Sequence, residues 1–113
     1  MMEPAWVKEL PVAVTILDRQ GVILGMNEKA VSAFAADGGA DLIGKSSLEC
    51  HPEPARSKLQ RLLAEPETNV YTIEKAGVKK LICQTPWYQD GRFSGVVELS
   101  IMLPAEVLHF VRD

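Results

Sequence analysis

The chain has 113 residues, of which 47% are hydrophobic and 24% are charged. This length suits one domain, and this composition excludes a disordered, collagen-like or low-complexity chain. The formal net charge of -3, with no clustered basic face, is unlike a nucleic-acid-binding protein. The longest mainly apolar run, Leu10 to Leu17, is too short for a membrane span, which needs about 20 residues. With no signal peptide and two cysteines, we expect a cytoplasmic location and no disulfide framework.

The first half of the sequence predicts a hairpin followed by a helix. The predicted elements are a helical lead-in at 1–9, strands at 12–17 and 22–26, and a helix at 28–36. Gly21 supplies the turn between the two strands, because glycine tolerates positive φ. Asn27 is a predicted helix N-cap, since its side-chain oxygen can accept from an early helical N–H.

The second half predicts a second helix and three strands. Apolar residues at i, i+4, i+7 and i+8 after Pro54 indicate a helix at about 53–64. Strands follow at 69–75, 78–87 and 93–103, with Asp90-Gly91 as a hairpin turn. Pro104 permits a final helix within 104–113. The order favours an α+β fold in which helices pack on one face of a five-stranded antiparallel sheet.

These landmarks resemble those of a PAS domain, the small sensor module of signalling proteins, over residues 10–103. The landmarks are the opening strand that ends in Asp18-Arg19-Gln20-Gly21, Asn27 before its helix, the Leu42-Ile43-Gly44-Lys45 connector, Pro52-Glu53-Pro54 and the three final strands. The Cys50-His51-Pro52 stretch also resembles that of bacterial PAS domains of uncharacterised function. The resemblance implies a pocket between the sheet and the central helices.

Known PAS cofactor motifs are incomplete in this sequence, so it names no cofactor. In haem-binding relatives the iron-ligating histidine would align with Leu59, which cannot ligate iron, and His51 would have to serve instead. The flavin-binding Asn-Cys-Arg motif is absent, with Ser47 at the corresponding place and Cys50 three residues too late.

The cysteines and histidines also lack the spacing of other chemistries. Cys50, His51, Cys83 and His109 do not form the two spaced ligand pairs of a typical zinc site. Cys50 and His51 are adjacent and have no orienting acid, which disfavours a nucleophile and base. A redox role for Cys50 beside a histidine stays open.

If a ligand binds, we expect it to contact both central helices and the inner face of the sheet, where pockets are mostly apolar with a few polar groups. The predicted ligand-binding residues are Phe34, Ile43, Cys50, His51, Leu59, Leu63, Tyr71, Cys83 and Leu99. His51 is the expected polar anchor, joined by Gln84 if its strand is bulged.

The last strand has one wholly apolar series of alternating residues and one mixed series. The apolar series, Val97, Leu99, Ile101 and Leu103, is expected to face the helices. The mixed outer face and the terminal segments then need cover, which a symmetric homodimer would supply. The predicted dimer-interface residues are Trp6, Ile82, Val96, Met102, Val107, Leu108 and Val111.

The sequence therefore predicts a stand-alone or excised PAS domain, a cytoplasmic sensory or protein-interaction module in signal transduction. It is not expected to be an enzyme or to bind nucleic acid or membranes. We expect a small ligand or homodimerisation, with the output in another chain or segment. The alternative is a redox or haem sensor that uses Cys50 and His51.

Overall fold

A computed structural model describes residues 5–113 of the chain, so the first four residues of the predicted lead-in lie outside the described residues. Three α-helices and five β-strands follow one another in the predicted order as far as the last strand. They are α1 (Ala5–Lys8), β1 (Ala13–Asp18), β2 (Ile23–Met26), α2 (Glu28–Ala33), α3 (Ala55–Ala64), β3 (Asn69–Lys75), β4 (Val78–Gln89) and β5 (Arg92–Met102). Short 3-10 turns at Ala35–Asp37, Gly39–Leu42 and Leu48–Cys50 fill the connection between α2 and α3.

The five strands form one antiparallel sheet in the order β2-β1-β5-β4-β3. Helices α2 and α3 pack on one face, which we call the inner face. Their buried apolar side chains join those of the sheet in a single core. Its members are Ala13, Leu17, Ile23, Met26, Ala30, Leu42, Leu59, Leu62, Leu63 and Val96. This architecture confirms the predicted α+β fold. No helix among residues 5–113 is both long enough and apolar enough to cross a membrane.

Asn27 joins three segments of the chain through one side chain. Its Oδ1 accepts from the backbone N–H of Val14 at 2.9 Å and of Ala30 at 3.0 Å, which caps α2. Its Nδ2 donates to the carbonyl oxygens of Val7 at 3.0 Å and Val12 at 2.8 Å. Only 1% of Asn27 is exposed, so these bonds replace those that water would otherwise make.

Arg19 fixes the far end of α3 to the first hairpin. Its guanidinium donates to the carbonyl oxygens of Leu63 at 3.4 Å and Ala64 at 2.9 Å, where the helix leaves backbone acceptors without intrahelical partners. The same guanidinium lies 4.8 Å from the centre of the Phe93 ring. The helix is thereby held over the sheet at the end opposite Pro54.

The prediction of which β5 side chains face the helices is wrong, because the two alternating series are exchanged. Val96 is 1% exposed and lies in the core, so the mixed series faces the helices. The wholly apolar series, which includes Leu99, lies on the other face because alternate side chains point to opposite sides. Both series carry enough apolar side chains to be buried, so alternation alone did not choose between them. The face on which each β5 side chain lies is set by the pairing of Val96 with Leu17 and of Glu98 with Thr15.

The face turned away from the helices is therefore more apolar than expected. We call this the outer face; β1, β3, β4 and β5 all contribute to it. Its apolar residues are Val14, Ile16, Val70, Leu81, Cys83, Val97, Leu99 and Ile101. Val14 pairs with Leu99, Leu99 with Cys83, and Cys83 with Val70, so one apolar row crosses four strands.

The final helix expected within 104–113 is absent from the structure. Every residue from Pro104 to Asp113 is exposed, including Val107, Leu108 and Val111. An isolated helix of about ten residues is marginal in water, and no apolar face of this segment is buried to stabilise one. The spacing of the apolar residues was compatible with a helix, but the packing that would stabilise it does not occur within residues 5–113.

Candidate functional site

A cavity of about 280 Å³ lies between the inner face and the helical connection. The first hairpin supplies one wall, the end of α2 and the turns after it supply the second, and β5 supplies the floor. Its lining residues are Thr15, Leu17, Ile23, Met26, Phe34, Asp37, Leu42, Ser47, Cys50, His51 and Glu98. At about 30 Å³ per water molecule, the volume corresponds to roughly nine waters, which suits a compact ligand.

The floor of the cavity carries a carboxylate held by a chain of amides. Gln84 Nε2 donates to Glu98 Oε2 at 2.9 Å, and Asn69 Nδ2 donates to Gln84 Oε1 at 2.9 Å. The three residues are cross-strand neighbours on the inner face, and Thr15 lies opposite Glu98 on the next strand. Gln84 is 5% exposed, so its amide has little freedom to turn. The chain therefore fixes the carboxylate at the cavity floor.

The connector before α3 places a histidine at the cavity wall in one defined tautomer. His51 Nδ1 lies 2.6 Å from the carbonyl oxygen of Ser47. Because a carbonyl oxygen only accepts hydrogen bonds, Nδ1 carries the proton, and Nε2 is an acceptor when the ring is neutral. Arg56 steadies the connector by donating from Nε to the carbonyl oxygens of Leu48 and His51, both at 3.1 Å.

The pKa of Tyr71 reports on the charge near the cavity floor. This tyrosine lies on the inner face of the edge strand β3, opposite Ile82. Partial burial raises its pKa above the usual 10.0, and the negative charge of Glu98 raises the pKa further. The carboxylate of Glu98 thus extends its influence beyond the cavity itself.

Three of the nine predicted ligand-binding residues line the cavity: Phe34, Cys50 and His51. Leu59 and Leu63 are core residues of α3 and do not reach it. Ile43 is 44% exposed, because the turn that ends at Leu42 directs the next side chain away.

The other three predicted residues do not line the cavity. Tyr71 is on the inner face but near its open edge, with 42% of its surface exposed. Cys83 and Leu99 lie on the outer face because the sheet faces were assigned the wrong way round. The same reversal places Gln84 on the inner face with no bulge at its position, next to the cavity floor rather than in its lining.

Sequence reasoning missed the acidic lining residues Asp37 and Glu98 and the hairpin residues Thr15 and Met26. The available signal was the mixed series of β5, in which Glu98 alternates with Val96. A carboxylate within an otherwise apolar strand indicates either solvent or a polar site on the inner face. Without the register of the sheet, the mixed series was predicted to lie on the outer face.

The predicted interface residues fall into two groups. Ile82 and Val96 are buried on the inner face, so their expected place on an outer interface is wrong. Met102 is also on the inner face by alternation, although its side chain is exposed. The others, Trp6, Val107, Leu108 and Val111, are exposed.

The residues present do not fit a haem. Leu59, at the position of the iron ligand in haem-binding relatives, is 2% exposed and packs in the core. A tetrapyrrole is larger than the 280 Å³ cavity, and His51 lies at its wall with Nδ1 held by Ser47. Among residues 5–113 there is no group of three or more side chains placed to hold a metal ion. Both cysteines are free thiols, and Cys50 is exposed at the cavity.

A family model described as the PAS fold matches residues 7–102. The chain belongs to the PAS family. No curated protein matches it. Structurally similar PAS domains come from histidine kinases and from a receptor.

Solved structures share the fold at low sequence identity. The Aer2 receptor from Vibrio cholerae, described as a dual PAS-heme oxygen sensor, is 18% identical and superposes with a TM-score of 0.61, covering 82% of this chain and 95% of that chain. A sensory box sensor histidine kinase from Vibrio cholerae is 22% identical, with a TM-score of 0.61 and 85% of each chain covered. VqmA bound to DPO is 17% identical, with a TM-score of 0.64, covering 88% of this chain and 56% of that chain.

Proposed function

We propose that this PAS domain is a non-enzymatic sensory module that binds a small molecule in the cavity between the inner face and the helical connection. The observation that supports it is the combination of an apolar wall with a few fixed polar groups, as in typical ligand sites. Binding would bias the hairpin and the helical connection toward one arrangement, since a ligand shifts a population by its differential affinity. Free thiols suit the reducing cytoplasm.

A titration of the full chain with a library of small molecules tests this proposal by NMR. Binding should shift the backbone amides of Thr15, Met26 and His51. Cys50→Trp should abolish these shifts, because Cys50 is exposed at the cavity and an indole there would fill it. Glu49→Trp is the matched control, since Glu49 is exposed on the same turn but does not line the cavity. Shifts that survive Cys50→Trp would place binding elsewhere and contradict the proposal.

The outer face supports a second proposal, that two copies of the chain form a homodimer through it. One apolar row crosses four strands there, in which Val70 is exposed, Cys83 and Leu99 are half-buried and Val14 is buried. The exposed apolar residues Trp6, Val107 and Val111 lie in the terminal segments. Monomeric proteins rarely leave large contiguous apolar patches exposed. A second copy would cover the face with the same patch, as a two-fold axis requires.

Light scattering across a concentration series tests the dimer. The wild-type chain should have the mass of a dimer at tens of micromolar. Leu99→Glu should give monomers, because it places an unpaired charge in the contact. Tyr71→Glu, which adds the same charge on the inner face, should leave the mass unchanged. A concentration-independent monomer mass for the wild-type chain would refute the proposal.

A redox sensor that uses Cys50 is the alternative function, and it stays a prediction. Its thiol is exposed at the cavity, and its Sγ lies 3.7 Å from the carbonyl oxygen of Ser46. Treating the chain with hydrogen peroxide and measuring its mass, with Cys50→Ser as the control, decides it. If Cys50 is not oxidised in preference to Cys83, the redox alternative is ruled out.

A further inference from the structure

The charge of the cavity lining is one-sided. Asp37 and Glu98 each carry a carboxylate, and no lysine or arginine lines the cavity. The remaining titratable groups of the lining are the thiol of Cys50 and the imidazole of His51. With the proton of His51 Nδ1 engaged by a carbonyl oxygen, the neutral ring offers the cavity an acceptor at Nε2. An anionic ligand would meet two like charges here and no fixed cation.

Glu98 is placed as an acceptor for a ligand. Gln84 Oε1 accepts a hydrogen bond from Asn69, so Gln84 Nε2 faces Glu98 and donates to its Oε2. This orientation suits an ionised carboxylate, which only accepts. The second oxygen, Oε1, has no hydrogen bond to any of the described residues. A donor that enters the cavity would therefore find a fixed acceptor on the floor.

The rest of the lining favours an apolar body on the ligand. Leu17, Ile23, Met26, Phe34 and Leu42 form most of the walls. The ring of Phe34 can also attract a cation through its face. A bare metal ion would leave these walls without a partner, and the cavity lacks the three or more grouped ligands that such an ion needs within residues 5–113.

From these observations we propose that the cavity selects a small organic cation, an amine whose N–H groups donate to Glu98 while its apolar body contacts the hairpin and Phe34. This inference rests on the proposed ligand-binding function and adds the chemical class of the ligand. Asp37, exposed at the cavity, adds a second negative charge that favours entry of a cation. An ammonium forms an ion pair as well as a hydrogen bond with the carboxylate, whereas an alcohol forms the hydrogen bond alone, so the preference for an amine over an alcohol should be about tenfold or more.

Three probes of the same shape and different charge test the proposal: 2-phenylethylammonium, 2-phenylethanol and phenylacetate. Each is titrated into the full chain and followed by the NMR shifts of the amides around the cavity. The ammonium should bind about tenfold or more tighter than the alcohol, and phenylacetate should bind weakest. Glu98→Gln should lower the affinity for the ammonium to about that for the alcohol, and should lower the affinity for the alcohol much less.

Matched variants separate charge at the cavity from charge elsewhere. Glu98→Gln retains an oxygen that can accept from Gln84, and its thermal unfolding shows whether the fold is intact. Glu74→Gln removes the same charge from the exposed edge strand β3, on the face opposite the cavity, and should not alter binding. Should Glu98→Gln unfold the chain, Asp37→Asn supplies the second reading and should weaken binding of the ammonium alone.

The outcomes distinguish the ligand class from the site. If the alcohol or phenylacetate binds at the cavity as tightly as the ammonium, the cation preference is wrong and the ligand-binding function stands. If the ammonium binds more tightly but Glu98→Gln does not change it, Glu98 is not the anchor and the proposal fails. If no probe shifts the cavity amides at millimolar concentration, the cation preference is refuted, and the library titration decides separately whether the cavity binds another small molecule.

Discussion

Replacing Gly95 by alanine should destabilise the domain more than any other single added methyl group on its glycines. Gly95 lies in β5, with Leu17 and Asp18 of β1 on one side and Trp87 of β4 on the other. A Cβ at this position would lie 1.9 Å from the carbonyl oxygen of Leu17 and 2.9 Å from the carbonyl carbon and Cα of Asp18. The φ angle of Gly95 is +145°, which L side chains rarely adopt.

The size of the effect follows from three contributions. Carbon and oxygen atoms approach to about 3.3 Å at their closest common contact, so β1 and β5 must separate by more than about 1 Å. The Leu17 carbonyl also accepts from Trp87 Nε1 at 2.9 Å, and that hydrogen bond would break. Backbone strain costs about 1–2 kcal/mol, overpacking about 1–3 kcal/mol and the lost hydrogen bond about 1–3 kcal/mol. We expect a loss of about 3–8 kcal/mol, against a total stability of about 5–15 kcal/mol.

Gly91→Ala is the matched control. Gly91 also has a positive φ, +79°, but nothing lies within 4 Å of an added Cβ. This variant should therefore lose only about 1–2 kcal/mol from backbone strain. Urea unfolding followed by circular dichroism measures both free energies, and the indole N–H resonance of Trp87 reports the hydrogen bond directly. Equal losses for Gly95→Ala and Gly91→Ala, with an unshifted indole resonance, would refute the close-approach reasoning.

Three further predictions concern single polar side chains. Asn27→Asp should lower the free energy of unfolding by about 3–5 kcal/mol, because it removes the donor to two carbonyl oxygens and buries a charge; an unchanged urea midpoint would contradict this. Hydrogen bonds from the side chain and backbone of Ser57 hold the pKa of Glu53 below 4.5. The ionised carboxylate therefore stabilises the start of α3 above pH 4.5, and this stabilisation is lost as the pH falls through the lowered pKa. Ser57→Ala should raise the pKa of Glu53 in an NMR titration, and no change would show that the hydroxyl is not involved. The raised pKa of Tyr71 means that stability is full below pH 10.0 and falls as pH rises beyond it. Glu98→Gln should lower the pKa of Tyr71 in an ultraviolet titration, unless burial alone accounts for the shift.

Local patterns in the sequence were sufficient for the order and type of the elements as far as β5. Asn27 caps a helix because its side chain can reach an early N–H, and this rule needs no knowledge of the rest of the fold. The turn at Asp90-Gly91 is set by two residues that tolerate positive φ. Phe34 and His51 both line the cavity, and their role in ligand binding stays a prediction.

The face of each strand required information that no short segment contains. β5 has apolar side chains on both faces, and a shift of one residue exchanges them. Only its pairing with β1, which sets Val96 opposite Leu17, fixes the choice. Because this single choice was reversed, Leu99 and Cys83 were predicted to line the cavity, whereas the series that contains Glu98 was predicted to lie on the outer face. The missing helix after Pro104 has a similar cause, since its stability depends on a packing partner and not on its spacing.

The side chain of Asn27 makes several regions of the domain open together. The amide hydrogens of Val14 and Ala30 share its one oxygen as acceptor, and the carbonyl oxygens of Val7 and Val12 share its one nitrogen as donor. Rotation of the Asn27 side chain would therefore release β1 and the start of α2 together, whereas the lead-in detaches when its own bond from Nδ2 to Val7 breaks. In hydrogen exchange, the amides of Val14 and Ala30 should behave as one cooperative unit, exchanging with a common opening free energy although they are far apart in the sequence.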